Sequence, residues 1–569
     1  MKAPPCAKRR VADSWVRENP ALPCAFTRRL NRRARWPVAP YPVTLARRLL
    51  FACVTGWIFS SGAAASVPLE IHPRGAGVQA SATYSLRVNG ATVPVLAHTS
   101  LYDYAHFSAD GPVTLSITVP EPVRTWRISP RARQIAARAD GRRLTFELPS
   151  AAYVIVKIND LKELAIAVDP LERDAPSPAG TSIYNVTAPP YAADSSGRTL
   201  VTTVLQRAID EAHAAGGGIV YLPAGTFLSA SLQLRSNVSL YLAGGAVLRS
   251  SGDPAQFRTY YRKESLKMDG TWFLHTEPGS TNIRIFGRGT IDGHARELRG
   301  RNHYLNNLVV PLQTSHFTLE GVVLRDSGLW GLIPTRSDHV VVRDTKHFNE
   351  ADQFFEDDAI DIIECQDVRV SRTFAISEDD TYSTKTWNRE TDIAAQWPGE
   401  PEPLENVIFE DCLAWSRCAA FKVGFGCFQP QRNITFRNAT AYRCMRAIAV
   451  NRLWGAGAAE NVTFENIAVE GFQPRERDRD QCRWLDLNTG TGGEVVNTVL
   501  RNITVDDTGL VPSRIEGQSP AALMNGLRFE NVVVGGRAAA SLADLRVGVT
   551  NEHVKGVSFS APPAEKEKP

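Results

Sequence analysis

The sequence predicts an all-β protein in which a small β-sandwich precedes a long right-handed parallel β-helix. Two observations support this fold class. A short strand recurs along residues 237–464, and alternating apolar and polar runs fill residues 67–172. The predicted organisation is a leader with a signal peptide over 1–65, the β-sandwich over 67–172, a linker over 173–196 and the β-helix over 197–560.

The recurring strand opens with a polar residue in each copy. From His316 onward, successive copies are 23, 28, 39, 27 and 28 residues apart, a period that indicates a solenoid. β-Branched residues favour a β-helix, in which stacked Asn side chains hydrogen-bond from coil to coil. An array of β-sandwiches is the alternative, although Asn-Gly and Asp-Gly hairpin turns are sparse. The copies begin at Asn237, Asn282, His316, His339, Asp367, Asn406, Asn433 and Asn461.

The segments ahead of the repeat have other signals. Residues 84–90, 113–119, 143–148 and 153–158 alternate apolar and polar side chains between turn residues, as strands of a small sandwich do. Residues 174–196 are rich in Pro, Ala and Ser, which indicates a linker. A helix is then predicted over 204–212. Its apolar stripe consists of Val204, Leu205, Ala208, Ile209 and Ala212.

The first 65 residues have the features of a targeting segment. Arg47 and Arg48 precede an apolar run over 49–59, and small residues at 63–65 fit a cleavage site. The run is too short to span a bilayer, and a membrane anchor is the alternative. We therefore expect a secreted or periplasmic protein, cleaved near Ala65, with no stable membrane span and a monomeric state.

Charge and cysteine usage limit the partners. The leader carries a net charge of +10 and the whole chain +4, which leaves about −6 on the remainder and argues against a nucleic-acid partner. The even number of cysteines after the leader permits disulfides in an exported protein. Without a Cys-x-x-Cys pair, no zinc site is expected, and neither a metal nor another cofactor is predicted. These cysteines are Cys365, Cys412, Cys418, Cys427, Cys444 and Cys482.

Two acidic runs lie about one coil apart. Residues 356–361 read Glu-Asp-Asp-Ala-Ile-Asp, and residues 378–380 read Glu-Asp-Asp. Asp358 and Asp379 are 21 residues apart, so we expect them at similar positions on adjacent coils, whose backbones are ~4.8 Å apart. In the first strand, Ile360 and Ile362 should point into the core and Asp361 outward.

Clustered carboxylates suit acid–base chemistry. Like charges at this spacing raise the pKa of at least one group, which keeps a proton available near neutral pH. Glycoside hydrolysis uses a protonated acid together with an ionised base or nucleophile. Carboxyl separations of ~5–5.5 Å favour retention and ~6.5–9.5 Å inversion, a choice that sequence spacing leaves open. A calcium site or a solvated acidic rim is the alternative.

The chain from residue 194 onward resembles the pectin-lyase-like β-helix enzymes, specifically the clan of polygalacturonases (family 28) and dextranases (family 49). Residues 356–361 are similar to the polygalacturonase pattern Asn-Thr-Asp-Gly-x-Asp, and residues 379–385 to Asp-Asp-Cys-x-x-x-Lys. The resemblance implies hydrolysis of a glycosidic bond in a polysaccharide with inversion. It assigns Asp379 as the general acid, and Asp358 and Asp380 as the groups that hold and deprotonate water.

Ala419 stands where the polygalacturonases have a His, and Arg452 is the residue nearest their Arg-x-Lys clamp. We predict substrate binding by Asp361, Lys385, Lys422, Arg452, Trp330 and Trp387. The two lysines suit a uronate or sulfate group, or alternatively form salt bridges with Asp361 or Glu378. The tryptophans, with Trp454, either stack on sugar rings or pack in the core.

Two other functional classes remain open at this stage. A polysaccharide lyase or uronate epimerase on the same fold would use Ca²⁺ and an Arg or Lys base. A carbohydrate-binding solenoid would need no catalytic carboxylate at all. The sugar, the linkage and endo or exo action are left undecided by the sequence.

Overall fold

A computed structural model describes residues 67–75, 78–349, 354–490 and 492–560. The predicted leader and signal peptide, residues 1–65, lie outside the described residues. In the described part of the chain, no helix is both long enough and apolar enough to cross a membrane.

The β-sandwich consists of two five-stranded sheets with an apolar core between them. In Ser85–Val88 and Val113–Thr118 every second side chain is buried, as the alternating runs predicted. The core combines side chains of both sheets, for example Leu115 and Val156. In spatial order the first sheet has strands Leu69–Ile71, Tyr102–Ala109, Glu163–Asp169, Tyr153–Ile158 and Trp126–Ser129, and the second has Ala91–Val93, Ser85–Val88, Val113–Thr118, Arg143–Leu148 and Ala137–Asp140.

From residue 183 the chain winds as a right-handed parallel β-helix, as the repeat predicted. Its strands stack on three faces, here called sheets A, B and C, and they pair in parallel except for Tyr261–Lys263 and Arg537–Ala538, which pair antiparallel. Sheet A has Ile183–Asn185, Gly218–Leu222, Val238–Leu242, Thr281–Gly287, Ser315–Glu320, Asp338–Arg343, Gln366–Ser371 and Leu404–Glu410. Sheet B has Ser196–Leu200, Gly225–Ser229, Ala246–Ser250, Thr290–Asp292, Val323–Arg325, Lys346–Phe348, Phe374–Ser377 and Leu413–Ser416.

In the later coils single long strands pass through both sheets A and B, and sheet C forms the third face. The long strands are Gln431–Arg443, Ala459–Val469, Val495–Val505 and Met524–Val534, followed by Arg537–Ala538, Val554–Lys555 and Ser558–Ser560. The first part of sheet C has Leu232–Leu234, Tyr261–Lys263, Met268–Thr276 and Tyr304–Val310. Its second part has Ile360–Ile363, Tyr382–Thr386, Ala419–Cys427, Arg446–Asn451, Arg483–Asn488, Ser513–Glu516 and Val547–Val549.

The β-helix takes its first strand from the segment predicted as a linker. Ile183–Asn185 pairs in parallel with Gly218–Leu222 and thereby supplies hydrogen-bond partners for the outer edge of that strand. The remaining predicted boundaries stay predictions.

The predicted helix is present as Thr202–Ala214. Leu205, Ala208, Ile209 and Ala212 are buried against the first coils, and Val204 packs partly on the same cluster, which confirms the predicted stripe. Shorter helical turns are Arg131–Arg133, Pro254–Gln256, Arg296–Arg301 and Glu476–Gln481.

The polar residue that opens each repeated strand forms the predicted ladder. The side chain of Asn433 donates to Asn406 (3.0 Å), and Asn461 donates to Asn433 (3.0 Å). These residues have φ near +57°, a left-handed conformation that Asn, Asp and His tolerate better than other non-glycine residues. The recurring residue type therefore marks a turn where the backbone requires positive φ.

The six cysteines among the described residues form no disulfide. All six in the described residues are free and buried, so the disulfides that their even number permitted are absent there.

Aromatic stacking in the core predicts a large loss of stability when one ring is removed. Phe436 is fully buried between Phe409 and Phe464, with ring centroids 4.7 and 5.1 Å away. We expect Phe436→Ala to lower the free energy of unfolding by about 3–5 kcal/mol, measured by urea denaturation. Trp126, which is 41% exposed, is the control, and an equal loss in Trp126→Ala would contradict the prediction.

Candidate active site

The two acidic runs lead into adjacent strands of sheet C, Ile360–Ile363 and Tyr382–Thr386. Ile360 pairs with Tyr382, so one coil here is 22 residues long, and Asp358 lies beside Asp380. The backbone N–H of Ala359 donates to the carbonyl of Asp380 (2.9 Å), as this register requires. The predicted pairing of Asp358 with Asp379 was therefore wrong by one residue, because it assumed a 21-residue coil.

The strand that carries Asp361 has the predicted alternation. Ile360 and Ile362 belong to the core, and Asp361 points outward. Its carboxylate is nevertheless fully buried, because Ser383 and Lys385 cover it; the Lys385 ammonium lies 2.6 Å away. The contact of Asp361 with substrate stays a prediction, and in this structure no part of its side chain is exposed.

Lys385 lies between two carboxylates. Its ammonium donates to Asp361 and also to Asp358, and it is almost fully buried. The salt bridge considered as an alternative to substrate binding is therefore present. Burial raises the pKa of Asp358 well above its usual range, and the nearby Asp361 adds to this effect, because one ammonium neutralises only one of the two charges.

Asp380 has a lysine of its own. The Lys422 ammonium lies 2.6 Å from one carboxylate oxygen, and the backbone N–H of Ala419 lies 3.2 Å from the other. Burial favours the neutral acid, but Lys422 and then Lys385 outweigh it and lower the pKa of Asp380 below its usual value. Asp380 is therefore ionised, and Lys422 is engaged in an ion pair within the protein.

Asp379 is more accessible than Asp380, because 19% of its side chain is exposed, against 2% for Asp380. It accepts the backbone N–H groups of Glu356 and Asp380, both at 3.0 Å. One oxygen each of Asp379 and Asp380 and the sulfur of Cys418 lie within 4.8 Å of one another. Calcium prefers six to eight oxygen ligands, so a site with a thiol and with Lys422 on one carboxylate does not fit it.

Asp357 is a site residue that the sequence analysis missed. One of its oxygens accepts the backbone N–H groups of Glu378 (2.8 Å) and Asp379 (3.0 Å), so it fixes the start of the second acidic run. Burial and the neighbouring Glu378 and Asp379 raise the pKa of Asp357 well above its usual range. A 22-residue coil would have identified it, because that spacing aligns it with Asp379.

Three predicted binding residues are packed in the interior. Trp330 and Trp387 are 5% and 7% exposed and stack with ring centroids 6.4 Å apart. Arg452 is fully buried and donates to the backbone carbonyls of Gly457 and Glu494. These side chains pack between coils in this structure, and their contact with substrate stays a prediction. Trp454, at 45% exposure, remains open to a sugar ring.

The register also brings an arginine to the site that the sequence analysis did not select. The position of Asp358 and Asp380 continues on the next coils as Ala419 and Arg446. Arg446 is 4% exposed, and its nearest guanidinium nitrogen lies 3.8 Å from the sulfur of Cys418. Only the pairing of strands shows this alignment, because the coil between Asp380 and Ala419 is 39 residues long.

Known proteins resemble the chain in part. A probable polygalacturonase from Vitis vinifera is 26% identical over 221 residues, which is 36% of this chain and 44% of that protein. An exo-poly-alpha-D-galacturonosidase from Dickeya chrysanthemi is 32% identical over 127 residues, 20% of this chain and 19% of that protein. The chain thus spans less than half the length of either relative. No protein-family model matches it.

The fold has a counterpart among solved structures. Dex49A from Penicillium minioluteum superposes with a TM-score of 0.59 at 12% identity, over 89% of this chain and 98% of that one. At this identity the likeness shows the fold alone, the parallel β-helix preceded by a β-sandwich described above. The sequence resemblance to the polygalacturonase and dextranase clan is consistent with it.

Removing the shared lysine should destabilise the protein more at high pH than at low pH. Lys385→Met leaves Asp358 and Asp361 buried without a counter-charge, and breaking a buried pair costs about 3–5 kcal/mol. Both carboxyl groups have raised pKa values, so their protonated forms at low pH need no cation, and the loss should grow as pH rises. Urea denaturation at pH 5 and pH 8 measures it.

Lys555→Met, at an exposed lysine, serves as the control for charge removal. Equal destabilisation by Lys385→Met at both pH values would contradict the shared-lysine interpretation.

Proposed function

We propose that this protein is a glycoside hydrolase that cleaves a polysaccharide by direct attack of water, with inversion. The observation that carries the hydrolase proposal is the ionised Asp380 beside the accessible Asp379. Their carboxylate oxygens lie within 4.8 Å, which is shorter than the ~6.5–9.5 Å typical of inverting pairs, so the proposed inversion rests on the resemblance to the polygalacturonases and not on this spacing. An ionised carboxylate next to one that can reach the substrate is what acid–base hydrolysis of a glycosidic bond uses.

In this mechanism Asp379 donates a proton to the leaving glycosidic oxygen. The side chain of Asp379 is 19% exposed, against 4% for Asp358 and 2% for Asp380, so it has the best access to a leaving sugar. The backbone donors from Glu356 and Asp380 hold its carboxyl group in place. Orientation by fixed donors of this kind lowers the entropic part of the barrier.

Asp380 accepts a proton from the attacking water. Lys422 keeps it ionised, and an ionised carboxylate is the form that a general base requires. Asp358, on the preceding strand at the same register position, holds the water from the other side. Its raised pKa suits it to hydrogen-bond the water rather than to deprotonate it.

The lyase or epimerase alternative needs a neutral lysine or an arginine as base. Lys385 lies between two carboxylates, which raise its pKa and make it a poor base, and Lys422 is paired with Asp380. A carbohydrate-binding solenoid without catalysis would gain nothing from burying several carboxylates, each of which costs desolvation energy. Hydrolysis accounts for the arrangement best.

The relatives and the sequence support a proposal for the substrate and the compartment. Two relatives named as polygalacturonase and exo-poly-alpha-D-galacturonosidase favour a uronate polysaccharide or oligosaccharide as substrate. We propose that the protein acts as a monomer, without a cofactor or a nucleic-acid partner, after export and cleavage near Ala65.

Replacing either central carboxylate should abolish turnover. We expect Asp379→Asn and Asp380→Asn each to lower kcat by about 10²–10⁴-fold or more, because each removes one proton-transfer step. Reducing-end release from polygalacturonate and dextran measures the loss. Asp411→Asn, an exposed carboxylate on another face, is the matched control.

The anomeric form and the saturation of the product test the reaction type. NMR of the first product should show the inverted anomer, and retention would exclude direct water attack. Full activity in Asp379→Asn would refute the role of this residue, and an unsaturated product absorbing in the ultraviolet would establish a lyase instead.

Removing Lys422, which pairs with the proposed base Asp380, should shift the pH dependence of kcat/KM. Lys422 lowers the pKa of Asp380, so Lys422→Met should raise that pKa and shift the acidic limb of kcat/KM to higher pH. Initial rates from pH 3 to pH 8 reveal the direction. A limb that stays in place while the protein remains folded would show that Asp380 is not the base.

A further inference from the structure

Two histidines interrupt the asparagine ladder on sheet A. Strand pairing aligns Asn282, His316, His339 and Asp367 on successive coils. The outer members of this row are joined to the ladder by amide hydrogen bonds, since Asn282 donates to the preceding ladder residue (3.1 Å) and Asn406 donates to Asp367 (2.9 Å). Between them, two imidazoles occupy the positions that link coils elsewhere.

The two imidazole rings are held face to face. Both residues have positive φ, +58° at His316 and +53° at His339, so their side chains leave the backbone in the same direction. The ring planes differ by 5°, and the ring centroids are 4.6 Å apart. Both side chains are exposed, with 55% of the His339 side chain accessible. Two parallel imidazoles thus lie about one strand spacing apart on the surface.

Ser315 and Asp338 fix the protonation of both rings. Ser315 is the register neighbour of Asp338 and donates its hydroxyl proton to that carboxylate (2.8 Å). The same hydroxyl lies 2.8 Å from Nδ1 of His316, and with its own proton used it accepts one from this nitrogen. Nδ1 of His339 contacts the carboxylate of Asp338 and donates to it. In each neutral ring Nδ1 therefore carries the proton, and Nε2 carries a lone pair.

The carboxylate that orients the rings is ionised. Burial would raise the pKa of Asp338, but the hydrogen bonds from His339 and Ser315 outweigh it and lower that pKa below its usual value. A carboxylate behind the N–H of a histidine orients the ring and raises the basicity of the opposite nitrogen, which is how metal-binding histidines are usually supported. Here one carboxylate supports two histidines, one directly and one through the hydroxyl of Ser315.

The spacing of these groups fits a single metal ion. A candidate ligand atom from each of His316, His339 and Asp338 lies within 4.8 Å of the other two. Two nitrogens on one tetrahedral ion, each at ~2.0–2.1 Å from it, are about 3.3 Å apart. Exposed side chains change rotamer freely, so a small rotation of the rings closes the difference. Neutral imidazoles suit Zn²⁺, Ni²⁺ and Cu²⁺, whereas Mg²⁺ and Ca²⁺ prefer oxygen ligands.

We propose that Nε2 of His316 and Nε2 of His339 bind one divalent transition-metal ion of the Zn²⁺ class, with Asp338 and Ser315 orienting the two rings. Water completes the coordination, because both rings face solvent. The ion joins two coils where the ladder lacks amides, and it thereby stabilises the stack of sheet A. The hydrolysis mechanism does not use this site, which lies on sheet A and not on sheet C, so the inference stands without the proposed function.

Calorimetry with ZnCl₂, NiCl₂ and MgCl₂ tests the site. We expect saturable binding of one Zn²⁺ or one Ni²⁺ and no binding of Mg²⁺. His316→Asn combined with His339→Asn should remove this binding event and should still fold, because Asn is the residue that the ladder uses on other coils. Zn²⁺ binding that is unchanged in the folded double variant would overturn the proposal, as would a lack of Zn²⁺ binding by the unaltered protein.

Single substitutions assign the roles. Asp338→Asn should weaken Zn²⁺ binding about 10–100-fold, as the loss of a carboxylate behind a ligating histidine does. His553→Asn should leave the affinity unchanged. His553 is the control because it also lies beside a carboxylate, Glu552 at 3.6 Å, but has no stacked partner ring among the described residues. Equal weakening by the two substitutions would show that Zn²⁺ binds surface histidines in general, and would refute the site.

Hydrogen exchange tests the link between coils. Zn²⁺ should slow amide exchange in Ser315–Glu320 and Asp338–Arg343 more than in the distant strand Val495–Val505, because the ion opposes separation of the two coils that it joins. The difference should vanish in the double variant. Equal slowing in all these strands, or no slowing in the first two while Zn²⁺ binds, would contradict a stabilising link at this position.

Discussion

Parallel stacking of the coils constrains every side chain on the outer face of sheet C. Each one lies about one strand spacing, ~4.8 Å, from its register neighbours on adjacent coils. Asp358 therefore lies directly beside Asp380, and two buried carboxylates at this spacing repel unless cations separate them. Lys385 and Lys422 are those cations. Lys385 lies on the strand Tyr382–Thr386, and Lys422 lies on the strand Ala419–Cys427, which pairs with it.

The β-sandwich supports the acidic coil through a chain of hydrogen bonds. The hydroxyl of Tyr102 donates to the carbonyl of Asn349 (2.6 Å), whose side chain donates to the carbonyl of Asp357 (2.6 Å). Asp357 in turn accepts the backbone N–H groups of Glu378 and Asp379. Aromatic packing of Tyr102 against Phe348 and Trp415 anchors the start of this chain. The sandwich thus contributes rigidity to a site that it does not line.

The sequence was sufficient for the coils but not for the burial of their side chains. A polar residue at positive φ recurs in each coil, so the ladder of Asn406, Asn433 and Asn461 was visible as a repeat. Trp387 was indistinguishable from a sugar-stacking residue until the long interval after it was seen to fold back, packing Ile393 and Trp397 on the tryptophan. Burial of this kind depends on the path of an insertion, which carries no periodic signal.

The same limit applies to the chemistry, because Asp358 and Asp380 each follow a Glu-Asp pair in the sequence and occupy the same register position, but differ in the charged groups around them. Lys385 forms ion pairs with both Asp358 and Asp361 but neutralises only one negative charge. Burial therefore favours a proton on one of these two carboxyl groups. Lys422 serves one, so Asp380 is ionised. Environments that drive the pKa values of neighbouring acids apart are how one site provides both a proton-bearing group and a base. In the proposed mechanism, the number of carboxylates per lysine, rather than the identity of either aspartate, is the reason for choosing Asp380 as the base.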